Sequence, residues 1–317
     1  MTLPNAGWRP GVLRLGAHEL DLSRRVAVMG IVNATPDSFY AGGRHASAEA
    51  AIEHGLRIAA EGANLIDVGG DSAGGSAAPI DAAEEIRRVE PVIRALARQT
   101  NLPISVDTHR ADTAAAAIDA GAALVNDITG LADPKMSGVV ARGRAGLCLM
   151  HIKGAPKHFP PDFHYDDVVT DVRAYLGARV DRALEAGIAR DRLIVDPGIE
   201  FGKLVSQDLQ LLRRLNELHT LELPVLVAIS RKYFIGHVLG AVHRSEEGAP
   251  ARVTPLPPED RLEGTAAAIA FAITRGAHIV RVHDVRAMVR VTHVTEALLG
   301  LTHITAHYRS DGEFVPV

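Results

Sequence analysis

Residues 104–127 read ISVDTHRADTAAAAIDAGAALVND and contain the pattern that decides the fold. The short β-branched run Ile104–Asp107 predicts a strand, and the alanine-rich stretch 111–120 predicts a helix after it. Gly121 directly follows that stretch, where a left-handed helix cap favours glycine, and a second apolar run begins at Leu124. A strand, a helix and a second strand in this order predict one parallel β-α-β unit.

The same alternation extends over the whole chain of 317 residues. Eight apolar runs predict strands at 26–32, 64–68, 104–107, 124–126, 147–151, 193–196, 225–229 and 278–283. Helical patterns lie near 47–61, 80–99, 111–120, 134–143, 166–187, 206–218, 259–275 and 284–299. Eight such units predict an α/β protein, namely a single-domain (β/α)8 TIM barrel. An open doubly wound sheet stays possible, but no G-x-G-x-x-G fingerprint supports it.

The segments outside these units define the predicted boundaries. Residues 1–25 precede the first strand and predict an N-terminal extension, a hairpin over the bottom of the barrel. The barrel itself is predicted over 26–300, followed by a loose tail at 301–317. Residues 243–259 are rich in proline and charge, which predicts a long flexible loop after the seventh strand.

Composition narrows the class of protein. The net charge is −4 and no block of Lys and Arg stands out, so we expect no nucleic-acid partner. Cys148 is the single cysteine and lies in an apolar run, which predicts a buried structural thiol and excludes a disulfide within the chain. No apolar run has the length of a signal peptide or approaches the ~18 residues of a membrane span, so we expect a cytoplasmic protein with no membrane partner.

Polar residues cluster at the ends of the predicted strands. They are Asn33, Asp71, Asp107, Asn126, His151, Asp196, Lys232 and His283. In a barrel of this type, the carboxyl ends of all eight strands face one mouth, where ligands bind. We therefore expect these side chains to form one site. The 15 histidines show no zinc spacing such as H-E-x-x-H, so a zinc centre is excluded.

Motifs on these strands make the prediction more specific. They are MGIVNATPDSF (29–39), SVDT (105–108), NDI (126–128), DPGIEFGK (196–203), SRK (230–232) and RVHD (281–284). In this order the chain resembles dihydropteroate synthase over roughly residues 10–300. The resemblance implies an enzyme of folate biosynthesis that joins p-aminobenzoate to a dihydropterin carrying a methyl diphosphate. Diphosphate leaves, a pterin cation forms and the arylamine attacks it. It also implies assistance by Mg²⁺ and a homodimer built through outer helices.

The resemblance and the chemistry of the side chains together assign roles. For the pterin, Asp196 would accept hydrogen bonds from the 2-amino group and N3–H, Asn126 would donate and accept, and Asp107 would accept. Met150 would pack beneath the ring. Lys232 would donate to the pterin carbonyl, since period-two alternation puts it on the same face as Ser230 and leaves Arg231 on the other.

A second set of residues would meet the remaining groups of the substrates. Ser230 and Phe201 would border p-aminobenzoate. Arg281 would stack on the pterin and face the diphosphate, and His283 would donate to diphosphate oxygens. Asn33 would bind the diphosphate and Mg²⁺, which prefers oxygen ligands and is often held through phosphates. The catalytic group is thus predicted as Lys232, Arg281, His283 and Asp107.

The second loop departs from the family. The family usually has Gly-Gly-Glu-Ser-Thr-Arg-Pro-Gly there, whereas this chain reads VGGDSAGGSAAP at 68–79. Ala73 and Gly74 stand in place of the Thr-Arg pair, which removes a positive charge near anionic substrates. Three hypotheses follow: an active synthase with another basic residue substituting, a synthase with altered p-aminobenzoate and sulfonamide handling, or a pterin-binding paralogue without synthase activity.

A pterin-dependent methyltransferase is the alternative from another enzyme class. Such proteins share a pterin-binding barrel but deliver a methyl group to a cobalt centre on a partner. The SRK and DPGIEFGK motifs together favour the synthase. The segment 33–43, which ends in two glycines, is further predicted to act as a mobile lid over the site.

Overall fold

The computed structural model describes residues 8–35, 44–71, 80–160, 162–245, 254–302, 306–308 and 314–316. After a hairpin of β1 (Val12–Leu15) and β2 (His18–Asp21), eight parallel strands form one sheet. They are β3 (Ala27–Asn33), β4 (Leu65–Gly69), β5 (Ile104–Asp107), β6 (Leu124–Asp127), β7 (Gly146–Met150), β8 (Leu193–Asp196), β9 (Leu226–Ala228) and β10 (Ile279–Val282). They pair in the order β8-β7-β6-β5-β4-β3-β10-β9. A parallel bridge from Val195 to Val225 joins β8 to β9 and closes the barrel. The predicted (β/α)8 fold is confirmed.

Helices alternate with these strands. They are α1 (Arg44–Ala60), α2 (Ala82–Gln99), α3 (Ala111–Ala120), α4 (Met136–Gly143), α5 (Val168–Glu185), α6 (Val205–Arg213), α7 (Tyr233–Ser245), α8 (Leu262–Thr274) and α9 (Val285–Leu298). Asp81 and Asp167 begin α2 and α5 by accepting a hydrogen bond from the backbone N–H three residues later. Gly121 ends α3 with φ 114°, the left-handed conformation expected there.

Helix α7 is a helix that the sequence did not predict. The predicted loop 243–259 begins inside it, and residues 246–253 of that loop lie outside the described residues. A Cβ on Gly236 or Gly240 would collide with the backbone of Leu256 or Thr254. The glycines that weaken the helical pattern in the sequence are therefore needed where the segment with Thr254 and Leu256 packs on the helix. The predicted helix 206–218 also divides, into α6 and a 3₁₀ turn at Leu215–Leu221.

The N-terminal hairpin packs against the lower end of the barrel interior. Leu13 and Leu15 of β1 and the nearby Leu22 join one buried cluster with inward side chains of the barrel strands. Leu15 lies against Gly146 at the start of β7, where a Cβ would leave no room for it. Cys148 belongs to the same cluster as a free buried thiol, as predicted, and burial raises its pKa. Water is thus excluded from the lower half of the barrel.

The described residues of the predicted tail, 301–317, contain secondary structure. Two short strands, β11 (Ala306–Tyr308) and β12 (Phe314–Pro316), pair antiparallel. Within the described part of the chain, no helix combines the length and apolar character needed to cross a membrane.

Candidate active site

The polar residues of the mouth follow from strand alternation. Four residues of the buried interior cluster are Leu65, Leu124, Ile194 and Ile279. Side chains two positions further along a strand point to the same face. Those positions are Asp67, Asn126, Asp196 and Arg281. The same register thus lines the lower barrel with apolar groups and its upper part with polar ones.

Arg281 links two carboxylates inside the barrel. Its Nε donates to Oδ2 of Asp67 at 2.6 Å, and its Nη2 donates to Oδ2 of Asp107 at 2.7 Å. Asn126 donates from Nδ2 to the same oxygen of Asp67 at 3.2 Å. Burial raises the pKa of Asp107 to about 7, although the charge of Arg281 opposes this rise. Asp107 can therefore change its protonation near neutral pH.

Asp196 ends β8 with a buried carboxyl group. Its Oδ1 accepts a hydrogen bond from the N–H of Gly198 at 2.7 Å, which orients the side chain. Burial raises its pKa to about 6, while that hydrogen bond and the charges of Lys232, Lys203 and Arg281 lower it. The group is therefore mostly ionised at pH 7 and can accept two hydrogen bonds from a flat donor edge.

Lys232 reaches the site by a different route from the one predicted. Strand β9 ends at Ala228, and Arg231 has φ 57°, so strand alternation does not apply at 230–232. Arg231 nevertheless points away, since its guanidinium donates to both oxygens of Asp284 at 2.7 Å. Lys232 donates from Nζ to the carbonyl of Ile199 at 2.8 Å and lies 4.4 Å from the centre of the Phe201 ring. Burial lowers its pKa.

Ser230 and His283 contact each other near the carboxyl ends of the strands. Ser230 Oγ lies 3.1 Å from Nδ1 of His283 and also accepts a hydrogen bond from the backbone N–H of His283. Burial, followed by the nearby charge of Arg281, lowers the pKa of His283 to about 4. His283 is therefore a neutral imidazole at pH 7, with one N–H available for donation.

A buried lysine that the sequence analysis left without a role holds the loop after β8. Lys203 Nζ donates to the carbonyls of Gly198 and Phe201 at 2.7 and 3.1 Å and lies 2.9 Å from Nδ1 of His151. His151 thus faces a lysine, and its pKa falls to about 2, first through burial and then through that charge. Burial also lowers the pKa of Lys203 to about 7. The sequence signal that could have identified Lys203 was its place at the end of the DPGIEFGK motif.

Four apolar side chains lie together at the mouth of the barrel. Met150, Ile128 and Ile152 form a small buried cluster against which Phe201 packs. Met150 is buried at the end of β7, and its place beneath the pterin stays a prediction. A cavity of about 470 Å³ begins at Asp107 and Ile128 and extends over the loops that follow β4 to β7. It is large enough for a small heterocyclic ligand.

Asn33 ends β3 at the same rim. Its backbone is in register with Gly69 of β4, and its side chain is exposed. Most of the predicted lid, 36–43, lies outside the described residues. Among the residues that are described, no group of three or more His, Cys, Asp or Glu side chains could hold a metal ion.

Two cations lie beside the second loop. Asp71 accepts hydrogen bonds from Nζ of Lys157 at 2.7 Å and from Nη2 of Arg110 at 3.3 Å. Both cations line the cavity. Ala73 and Gly74 fall within 72–79, outside the described residues. The second loop therefore begins, at Asp71, next to positive charges from two other loops.

Comparison with known proteins agrees with this geometry. The family described as pterin binding enzyme matches residues 29–283. Dihydropteroate synthase of Synechocystis is 40% identical over 290 residues, which are 91% of this chain and 96% of that protein. The chain belongs to the dihydropteroate synthase family. The family member of Escherichia coli K12 is likewise 40% identical, over 88% of this chain and 94% of its own length.

Solved dihydropteroate synthases share the fold. The enzyme of Xanthomonas albilineans with 4-aminobenzoic acid has a TM-score of 0.81 at 43% identity, covering 92% of this chain and 98% of that one. The same enzyme in complex with 7,8-dihydropteroate has a TM-score of 0.78 at 42% identity, covering 91% and 98%. The Yersinia pestis dihydropteroate synthase in a sulfonamide drug complex has a TM-score of 0.81 at 39% identity, covering 91% and 99%. The predicted resemblance is confirmed.

Proposed function

We propose that this chain condenses p-aminobenzoate with (7,8-dihydropterin-6-yl)methyl diphosphate and releases diphosphate, a step of folate biosynthesis. The observation that carries the proposal is the convergence of five polar side chains at one mouth of the barrel: Asp107, Asn126, Asp196, Lys232 and Arg281. Their donors and acceptors suit the edge of a pterin, and family members contain dihydropteroate and 4-aminobenzoic acid in their solved structures.

Pterin recognition would rest on buried hydrogen bonds. Asp196 would accept from the 2-amino group and N3–H, and Asn126 would donate and accept at the ring. Lys232 would donate to the carbonyl, and Met150 would pack against the flat face. A ring with other donors would leave these buried groups unpaired, so the site would select strongly for the pterin.

The reaction breaks the bond between the methylene carbon and the diphosphate oxygen, and the electron pair leaves with diphosphate. The amine nitrogen of p-aminobenzoate then forms a bond to the methylene carbon and loses a proton. The carboxylate of Asp107 would stabilise the pterin cation. Arg281 and the neutral imidazole of His283 would donate to the departing diphosphate, while Phe201 and Ser230 would border the arylamine.

Magnesium fits this arrangement on the diphosphate side. The amide oxygen of Asn33 is a hard ligand at an exposed rim, where Mg²⁺ could keep several waters and bind phosphate oxygens as well. The ion would neutralise negative charge on the leaving diphosphate. A dedicated carboxylate cage is unnecessary for an ion held largely by its substrate.

The unusual second loop is compatible with activity. Lys157 pairs with Asp71, the last described residue before 72–79, and lines the cavity, so it supplies positive charge beside the start of the second loop. This supports the first of the three hypotheses, in which another basic residue substitutes. Altered p-aminobenzoate handling is tested by a sulfonamide challenge, since ordinary sensitivity would contradict it.

Purified protein with the dihydropterin diphosphate, p-aminobenzoate and Mg²⁺ tests the proposal, with dihydropteroate and diphosphate measured together. Formation of both products supports it. Diphosphate without dihydropteroate would mean that the arylamine site has changed. Pterin binding without either product would leave a paralogue, and methyl transfer from methyl-tetrahydrofolate to a cobalt centre would establish the methyltransferase.

Assembly and location are further parts of the proposal. We expect a homodimer through the outer helices, because Phe271 on α8 and Val294 and Leu298 on α9 expose large apolar side chains. The mass in solution tests this, and a monomer would contradict it. The cytoplasmic location is expected from the single, free cysteine and is tested by cell fractionation.

A further inference from the structure

Asp67 is a buried carboxylate at the centre of the barrel that none of the roles above includes. It lies on β4, two residues after Leu65, and its side chain is fully buried. It is in register with Ser105 of β5, which is equally buried. An aspartate without exposure is costly unless it is paired, so its partners explain why it is there.

The partners of Asp67 are two residues of the proposed pterin site. Oδ2 accepts from Nε of Arg281 at 2.6 Å and from Nδ2 of Asn126 at 3.2 Å. These side chains come from β10 and β6, on opposite sides of β4. Among the described residues, Oδ1 of Asp67 has no hydrogen-bond partner, so the carboxylate keeps acceptor capacity.

Arg281 needs a second carboxylate for a physical reason. Its Nη2 donates to an oxygen of Asp107 at 2.7 Å. If Asp107 accepts a hydrogen bond from the dihydropterin, Arg281 loses part of that pairing in the same step. A buried guanidinium left unpaired would be strongly unfavourable. Asp67 keeps Arg281 paired and oriented while Asp107 turns to the ligand.

We propose that Asp67 is a positioning residue that holds Arg281 and Asn126 in the orientation in which they meet the dihydropterin and so leaves Asp107 available to it. This role rests on the proposed function. Asp67 need not touch the ligand itself. Its removal would leave Asp107 as the remaining carboxylate partner of Arg281, and the substrate would then compete with that pair.

Asp67→Asn tests the role with 6-hydroxymethyl-7,8-dihydropterin as the probe in calorimetry. We expect the dissociation constant to rise about tenfold or more, the effect of one charge-assisted hydrogen bond. Glu296→Gln is the matched control, because Glu296 is a buried carboxylate on α9 that accepts from the N–H of Val26, directly before β3 at the opposite end of the barrel. We expect the control to bind the probe like the wild type.

The pH dependence of binding gives a readout that loss of packing alone would not change. The charged groups that act on Asp107 are Arg281, Asp67, Glu85 and Asp127. Affinity in the wild type should rise as the pH increases through about 7, where Asp107 loses its proton and becomes a charged acceptor. Without the negative charge of Asp67, the pKa of Asp107 falls, so this rise should move to lower pH in Asp67→Asn.

A double-mutant comparison decides whether Asp67 acts through Arg281. In a chain that carries Arg281→Gln, the additional Asp67→Asn should cause little further loss of affinity. An equal loss in both backgrounds, or unchanged affinity and pH dependence in Asp67→Asn, would overturn the role. If Asp67→Asn alone fails to fold, the two chains that carry Arg281→Gln are still compared, and a further loss of affinity from Asp67→Asn in that background would overturn the role. A wild type that binds no dihydropterin would refute the proposed function, and this role with it.

Discussion

At the scale of single residues, the loop after β8 is held by one ammonium group. Lys203 satisfies two carbonyls and an imidazole nitrogen inside the protein. Gly198, with φ 66°, lies so close to the carbonyl of His151 that a Cβ would collide with it. The position of the Phe201 ring therefore depends on buried polar contacts behind it.

Lys203→Met keeps the length of the side chain but removes its donors. We expect the free energy of unfolding to fall by about 2–4 kcal/mol, because buried acceptors lose their partner. Urea unfolding measures this. Lys135→Met, at an exposed lysine, is the control and should change stability by less than about 0.5 kcal/mol. Equal midpoints for the two variants would contradict the assignment.

Asp196→Asn should change how stability depends on pH. The folded pKa of Asp196 is about 6, above its ordinary 3.8, so the folded state holds the proton more tightly. Its contribution to stability is fully present below about pH 4 and is lost as the pH rises to about 6, by about 3 kcal/mol. The stability of the wild type relative to Asp196→Asn should decrease over that window. A constant difference from pH 4 to 7 would show that the carboxyl group titrates normally.

The individual residues of the site differed in how far the sequence revealed them. Asp107, Asn126 and Asp196 were found because a polar residue that ends an apolar strand points into the mouth. Asp67 was missed because it lies inside an apolar run, and only the alternation with Leu65 indicates an interior carboxylate. The pairing of Arg281 with two carboxylates depends on contacts across the barrel, which sequence spacing does not contain.

At the scale of elements, the strands were predicted within about two residues because parallel strands buried on both faces are continuous apolar runs. Helix α7 was missed because Gly236 and Gly240 interrupt its helical pattern. Its position was set by a contact with Thr254–Leu256, on which local sequence has no bearing. Tertiary packing, rather than local preference, decided this element.

The hairpin at the bottom of the barrel should contribute stability without contributing to the site. Leu15→Ala leaves a cavity beneath the strands and should lower the free energy of unfolding by about 2–5 kcal/mol. Val12→Ala in the same strand is the control, because Val12 is exposed. KM values should stay unchanged in both variants. A raised KM for Leu15→Ala would show that the lower core and the mouth are coupled.

At the scale of the whole molecule, the charge around the mouth comes from several loops. Lys157, Arg110 and Asp71 belong to three different connections, so charge missing from one loop can be supplied by another. Lys157→Gln should raise KM for the dihydropterin diphosphate about tenfold. Ala73→Thr together with Gly74→Arg should restore it in the same chain. An unchanged KM in Lys157→Gln would contradict the hypothesis that Lys157 supplies the positive charge that the second loop lacks.

The barrel closes at β8 and β9 through the bridge of Val195 to Val225, and above it Lys232 donates to Ile199 and the N–H of Phe234 to Glu200. Asp196 and Lys232 lie on opposite sides of this junction. A pterin that forms hydrogen bonds with both side chains would therefore link the two sides. Amide hydrogens near Val195 and Val225 should then exchange with deuterium more slowly once ligand is bound. The bound ligand would then help to hold the barrel closed between β8 and β9.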